Sequence, residues 1–104
     1  MPAARELAIP IPHERIAEFC RKWRVHKLSF FGSVVRDDFT PQSDVDVLVE
    51  FRPDARISWN IVDAEDELSA ILGRKADLRT PPELSRWMIK DVLAEAVTEY
   101  VEED

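Results

Sequence analysis

The chain has 104 residues, 45% hydrophobic and 34% charged, with a formal net charge of −7. That length suits one domain across residues 1–104 with a single core, and the composition is that of a soluble globular protein, not a disordered one. The acidic balance argues against free nucleic acid as a direct partner, because phosphate neutralisation needs a basic footprint; nor is any apolar run long enough to span a membrane.

In chain order, Met1-Pro2-Ala3-Ala4-Arg5-Glu6 lacks the apolar core of a signal peptide. Ile9-Pro10-Ile11-Pro12 predicts a rigid, extended lead-in, with Pro12 suited to the first turn of a helix. Ile16, Phe19, Cys20 and Trp23 recur at helical spacing, which predicts an amphipathic helix over residues 12–24. Cys20 is the only cysteine, so there is no disulfide framework and no thiolate metal cluster, and a reducing cytoplasm is the natural compartment. As part of the apolar stripe it reads as a plain buried thiol.

Residues 27–31 read as a first strand ending at Gly32. A short helical turn beginning at Ser33 would aim backbone N–H groups beyond the strand's end, an anion site, with Arg36 one turn further on. A polar loop broken by Pro41 leads to a second strand over residues 45–51, whose continuous Val and Leu predict burial on both faces. Ile57, Ile61, Ala64, Leu68, Ile71 and Leu72 mark a helix from about residue 57 to 72, capped by Gly73, with Asp63, Glu65, Asp66 and Glu67 on a mainly solvated face. Residues 74–79 read as a third strand. Thr80-Pro81-Pro82-Glu83 has a helix-start pattern, and a last helix is expected over residues 85–102, set by Ile89, Val92, Leu93, Ala96, Val97 and Tyr100. Its acidic tail, Glu99 to Asp104, would sit where the helix dipole disfavours it, and so fray or meet something basic. The fold class is therefore α/β (α+β): a short mixed sheet of three strands covered by about four helices. So few strands make a protein partner on an exposed edge plausible.

The chemistry lies in two stretches. Phe31-Gly32-Ser33-Val34-Val35-Arg36 supplies a strand-to-turn anion site, and Ser43-Asp44-Val45-Asp46-Val47 starts the second strand with two carboxylates on one face. Carboxylates that close repel one another unless a cation lies between them, and hard oxygen ligands favour Mg²⁺. If the second and third strands are neighbours, Asp77 joins Asp44 and Asp46. Three such aspartates suit a two-metal phosphoryl or nucleotidyl transfer, with two Mg²⁺ about 4 Å apart. Asp44 and Asp46 would hold the nucleotide's metal and Asp77 the second, while the Gly32 N–H, the Ser33 hydroxyl and Arg36 would grip the β and γ phosphates.

Gly32-Ser33, ten residues, Asp44-Val45-Asp46 resembles the signature of the nucleotidyltransferase superfamily that includes DNA polymerase beta. More narrowly, Phe31–Arg36, Ser43–Val49 and Leu72-Gly73-Arg74-Lys75-Ala76-Asp77-Leu78 resemble the minimal nucleotidyltransferases, the MNT (MntA-like) family, from the first helix to Tyr100. The resemblance implies the small nucleotidyltransferase fold and a cytoplasmic antitoxin of a HEPN/MNT toxin–antitoxin module. It implies Mg-dependent transfer of AMP from ATP to a tyrosine hydroxyl of a HEPN-type RNase toxin, in a hetero-oligomer, with a homodimer as a further option. It assigns Asp44, Asp46 and Asp77 as metal-binding carboxylates and Gly32 and Ser33 as the phosphate-binding pair. One departure is Asp37, where the family commonly has Gly; an added negative charge there would weaken nucleotide binding.

Three other readings stay open. An antitoxin without turnover would neutralise its toxin by covering it. A transferase of another kind would act on a small molecule or an RNA 3′ hydroxyl, with Trp59 or Tyr100 stacking on a base in place of packing. Arg21 and His26 have the Arg-x4-His spacing of HEPN RNases, but they straddle a helix end and a strand start, and His13 and His26 read as surface or boundary residues.

Overall fold

A computed structural model describes residues 7–36 and 38–102; Asp37 and the last two acidic residues lie outside them. Helix α1 (His13–Trp23) is followed by strand β1 (Val25–Phe31), a 3-10 turn at Gly32–Val35, and strand β2 (Val45–Phe51). Helix α2 (Ile61–Leu72), strand β3 (Ala76–Arg79), a second 3-10 turn at Pro81–Glu83, helix α3 (Arg86–Glu95) and strand β4 (Val97–Val101) complete the order. The sheet runs β3-β2-β1-β4, with β2 parallel to β3 and β1 antiparallel to both β2 and β4.

Alternation along the strands produces two layers of packing. Leu28 and Phe30 of β1 pair with Val49 and Val47 of β2, and this face buries Ile16, Phe19 and Cys20 of α1 together with Ala64 and Leu68 of α2. The opposite face presents Phe31 and Leu48, against which α3 packs Val92, with Leu84, Ile89 and Ala96 around it. The lead-in expected from the two prolines is tied down by an Ala8 N–H donated to the Val34 carbonyl at 3.1 Å, with Ile9 buried.

The last helix differs most from its expected course. It ends at Glu95, and Ala96 turns extended (φ −62°, ψ 140°) into β4, so the sheet has four strands and not three. Val97-Thr98-Glu99-Tyr100-Val101 is rich in β-branched and aromatic residues that pack well on a pleated surface, and β1 offers it an edge. Val97 and Tyr100, three positions apart and so on one face in a helical reading, both reach the core because the β1–β4 register shifts between Leu28 and Ser29. Glu99 and Glu102 therefore meet basic side chains, not a helix dipole. Glu99 accepts from His13 at 2.6 Å, and Glu102 contacts Arg52 and His26, each at 3.0 Å.

Smaller differences have local causes. Helix α2 starts at Ile61, not Ile57, leaving Trp59 88% exposed in the preceding turn. Glu65, expected on the solvated face, instead accepts the Leu78 N–H at 2.9 Å and so satisfies the outer edge of β3. The Thr80–Glu83 box forms, but it closes only the 3-10 turn; α3 starts afresh with Ser85, whose hydroxyl accepts the Met88 N–H at 3.3 Å. Gly73 caps α2 as expected, in the left-handed region at φ 75°.

Cys20 is fully buried, and burial together with the Glu99 carboxylate pushes its thiol up to about 12, against a smaller opposing effect of Arg21. Native protein at pH 8 is therefore expected to resist a thiol reagent that modifies it at once in denaturant; prompt labelling of the folded chain would contradict this burial.

Candidate active site

The site sits where β1 ends and β2 and β3 begin, on the face covered by α3. Antiparallel pairing sets Phe31 opposite Asp46, and parallel pairing sets Asp77 beside Asp46. Asp44 stands just before β2, two residues from Asp46, and its carboxylate bears on that of Asp46. Of the expected trio, the strand register thus brings Asp77 beside Asp46. Gly32 lies directly over it: a Cβ built there would stand 2.1 Å from Asp46 Oδ2, and φ is +76°. Only glycine lets the turn close this tightly onto the carboxylate.

The electrostatics follow from that crowding. Burial first, then the Asp77 and Asp44 carboxylates, push the Asp46 carboxyl above its ordinary value, while Arg79 and Arg36 act weakly the other way. The folded protein therefore holds this proton to higher pH than the unfolded chain does. Stability is lost as pH rises from the unfolded value through the raised one, and above that window the ionised group works against folding. Asp46→Asn is expected to stabilise the fold at pH 7, raising Tm, because it removes an ionised group that burial and the neighbouring carboxylates disfavour. The gain should vanish by about pH 2.5, well below the unfolded carboxyl's ordinary value of about 3.9, where the carboxyl is neutral in both the folded and the unfolded chain. Thermal melts at the two pH values check this, and an asparagine variant less stable at pH 7 would overturn it.

Two contacts went unforeseen. Arg79, two residues along β3 from Asp77, clasps its carboxylate through Nε at 3.1 Å and a terminal nitrogen at 3.3 Å. Its position on the same strand face as Asp77 was a readable signal. Glu95, the last residue of α3, accepts the Gly32 N–H at 2.7 Å and the Arg36 guanidinium at 3.1 and 3.3 Å, while Arg36 also reaches Asp38 at 3.3 Å. These carboxylates raise the Arg36 pKa. No local pattern announces Glu95, because only the packing of α3 brings it to the turn. Ser33 is half-buried beside them. A cleft of about 260 Å³ runs between α3 and the strand ends, reaching Gly32, Arg36, Asp46, Met88, Asp91 and Glu95.

The donor set fits divalent magnesium, since every candidate ligand is a carboxylate oxygen and Asp46 is destabilised in its ionised form by its neighbours. Among the described residues, no three His, Cys, Asp or Glu side chains are drawn close enough to hold a metal as they stand. The Arg79 clasp on Asp77 is one physical reason. Trp59 is exposed in the turn before α2, and Tyr100 packs on the core.

A Gly-Ser turn held over aspartates on the two adjacent strands is the framework of a nucleotidyltransferase. The sequence pattern of the family described as "Nucleotidyltransferase domain" matches residues 14–100. The protein adenylyltransferase MntA of Thermococcus cleftensis is 34% identical over 80 residues, 77% of this chain and 80% of that one. A Methanocaldococcus jannaschii relative named among the protein adenylyltransferases is 40% identical over 68 residues; the match spans 64% of each chain, just under two thirds of the relative's length. A solved structure named as a minimal nucleotidyltransferase is 27% identical with a TM-score of 0.70, over 82% of this chain and 86% of that one. Two toxin–antitoxin complexes share the fold. One holds AMP-PNP (17% identity, TM-score 0.72, covering 89% of this chain and 76% of that one). The other, from Shewanella oneidensis, is a tri-AMPylated HEPN toxin with its MNT antitoxin (16%, 0.62, 86% and 70%). The chain belongs to the nucleotidyltransferase domain family and, within it, to the MntA-like minimal nucleotidyltransferases.

Proposed function

We propose that this nucleotidyltransferase is the antitoxin of a HEPN/MNT module and transfers AMP from ATP to a hydroxyl of its partner, a tyrosine of a HEPN-type RNase toxin. The single observation that carries the reading is the register that sets Asp77 beside Asp46 beneath Gly32. The names of the relatives and the toxin–antitoxin complexes of like fold support a protein acceptor and a HEPN partner.

In this reading Asp44 and Asp46 would hold the nucleotide's magnesium and Asp77 a second ion. When bound, the metals supply charge neutralisation and acidify the attacking hydroxyl. The Gly32 N–H, the Ser33 hydroxyl and the Arg36 guanidinium bind the β and γ phosphates and keep the leaving pyrophosphate in line. Arg79 holds Asp77 on its strand until that carboxylate is needed. The helix that roofs the cleft leaves Trp87 78% exposed, with Met88 and Leu93 also exposed. This apolar surface gives a partner a place to dock that brings its hydroxyl to the cleft. The single buried thiol fits a reducing cytoplasm.

The test is incubation with Mg²⁺, labelled ATP and the product of the neighbouring gene. Label is expected in the partner and is lost with the Asp44→Asn/Asp46→Asn double variant. A second reading, neutralisation by covering alone, draws on the Arg79 clasp that occupies Asp77. Protection of cells from the toxin by the double variant, with no label transferred by the wild type, would establish it instead.

A further inference from the structure

The Glu95 contact bears on how nucleotide reaches this cleft, and the inference rests on the nucleotidyltransferase reading above. We propose that Glu95 is the resident ligand of the phosphate seat, holding the Gly32 N–H and the Arg36 guanidinium until a nucleotide phosphate takes them over, and thereby setting nucleotide affinity.

The donors decide the matter. Gly32 has one N–H, and it is already given to Glu95 Oε2 at 2.7 Å, too short a bond to share at full strength with a second acceptor. One Arg36 nitrogen serves both oxygens of the same carboxylate, and its Nε turns to Asp38. Carboxylate and phosphate are ligands of one kind to such donors, each an anionic oxygen accepting charge-assisted hydrogen bonds. A phosphate therefore gains these contacts only by displacing Glu95, and a carboxylate that stayed would repel it. Displacement and repulsion have the same sign.

Helix stability does not explain a glutamate at this position. As the final residue of α3 it meets the negative end of the helix dipole, and it lines the cleft with Asp91 and Asp46. What holds it are the two donors at the turn. Its side chain keeps 25% exposure, so it can swing out without unpacking the core. The rival account makes Glu95 a brace that shapes the turn for phosphate. The two accounts predict opposite changes when the charge is removed.

The experiment measures Mg-ATP and Mg-tripolyphosphate binding by calorimetry to the full chain, to Glu95→Gln and to Glu95→Ala. Glutamine keeps a carbonyl for the Gly32 N–H but gives up the charge. Affinity for both probes is expected to rise by about tenfold, the change expected when a charge-assisted contact no longer competes. Unchanged or weaker binding in the folded variants, with the wild type binding normally, overturns the proposal and makes Glu95 a brace. Folded wild type and variants that all ignore both probes would instead remove the nucleotide reading itself. Should both variants misfold, the wild type decides. With two glycines in the chain, ¹⁵N-glycine labelling isolates the Gly32 amide from that of Gly73. The Gly32 signal must move on adding Mg-tripolyphosphate, and a stationary signal under binding conditions overturns the exchange.

Discussion

Gly32→Ala is expected to damage the site more than the fold. A side chain at φ +76° costs about 1–2 kcal/mol, which for a chain of this size lowers Tm by about 4–8 °C per kcal/mol. The new methyl carbon would also overlap Asp46 Oδ2, at 2.1 Å, and crowd its Cγ at 3.0 Å. The carboxylate is the softer partner in that collision, so it turns away, and a candidate metal ligand leaves its place beside Asp77. Misplacement by about 1 Å at a reacting centre costs about a hundredfold in rate. On the proposed reaction, adenylyl transfer should therefore fall by about two orders of magnitude, while a melting curve still shows one cooperative transition. An alanine variant with wild-type transfer would mean that the close approach of turn and strand does not serve the reaction.

Asp46→Asn is expected to have the largest effect on activity with the opposite effect on stability. On the proposed mechanism the carboxylate supplies charge to the metal that steadies the leaving phosphates, a contribution of several kcal/mol to the transition state. Each 1.4 kcal/mol is a factor of about ten, so transfer should drop by about a thousandfold or more. The same substitution removes the like-charge crowding with Asp44 and Asp77 and should raise Tm, as described above. Greater stability together with lost transfer is the signature of a group placed for function at the expense of the fold. Quantifying label in the partner beside a thermal melt of the same sample measures both. An asparagine variant that transfers normally would take the chemistry away from this carboxylate.

Much of this was legible from local pattern. The Val-rich run of β2 flanked by Asp44 and Asp46, the Gly73 cap, the amphipathic stripe of α1 and the Gly32-Ser33 turn all depend on neighbours a few residues apart, where period and cap chemistry apply. Asp77 was reachable because a helix between two short strands favours their parallel pairing, which is the pairing observed. Residues 96–102 were not. Their apolar spacing satisfies both a helix and a strand with a bulge, and the edge of β1, far away in sequence, settles the choice.

By itself the sequence determined the chemistry on offer: an acidic trio, a glycine turn, an arginine one turn on, and an α/β order with those groups at strand ends. Only the tertiary structure decided who touches whom. It placed Glu95 on the Gly32 N–H and Arg36, and Glu99 and Glu102 beside His13, His26 and Arg52. The physical reason is range: strand period and helix caps act over a few residues, whereas these contacts join residues up to 86 positions apart through the packing of α3 and β4 onto β1.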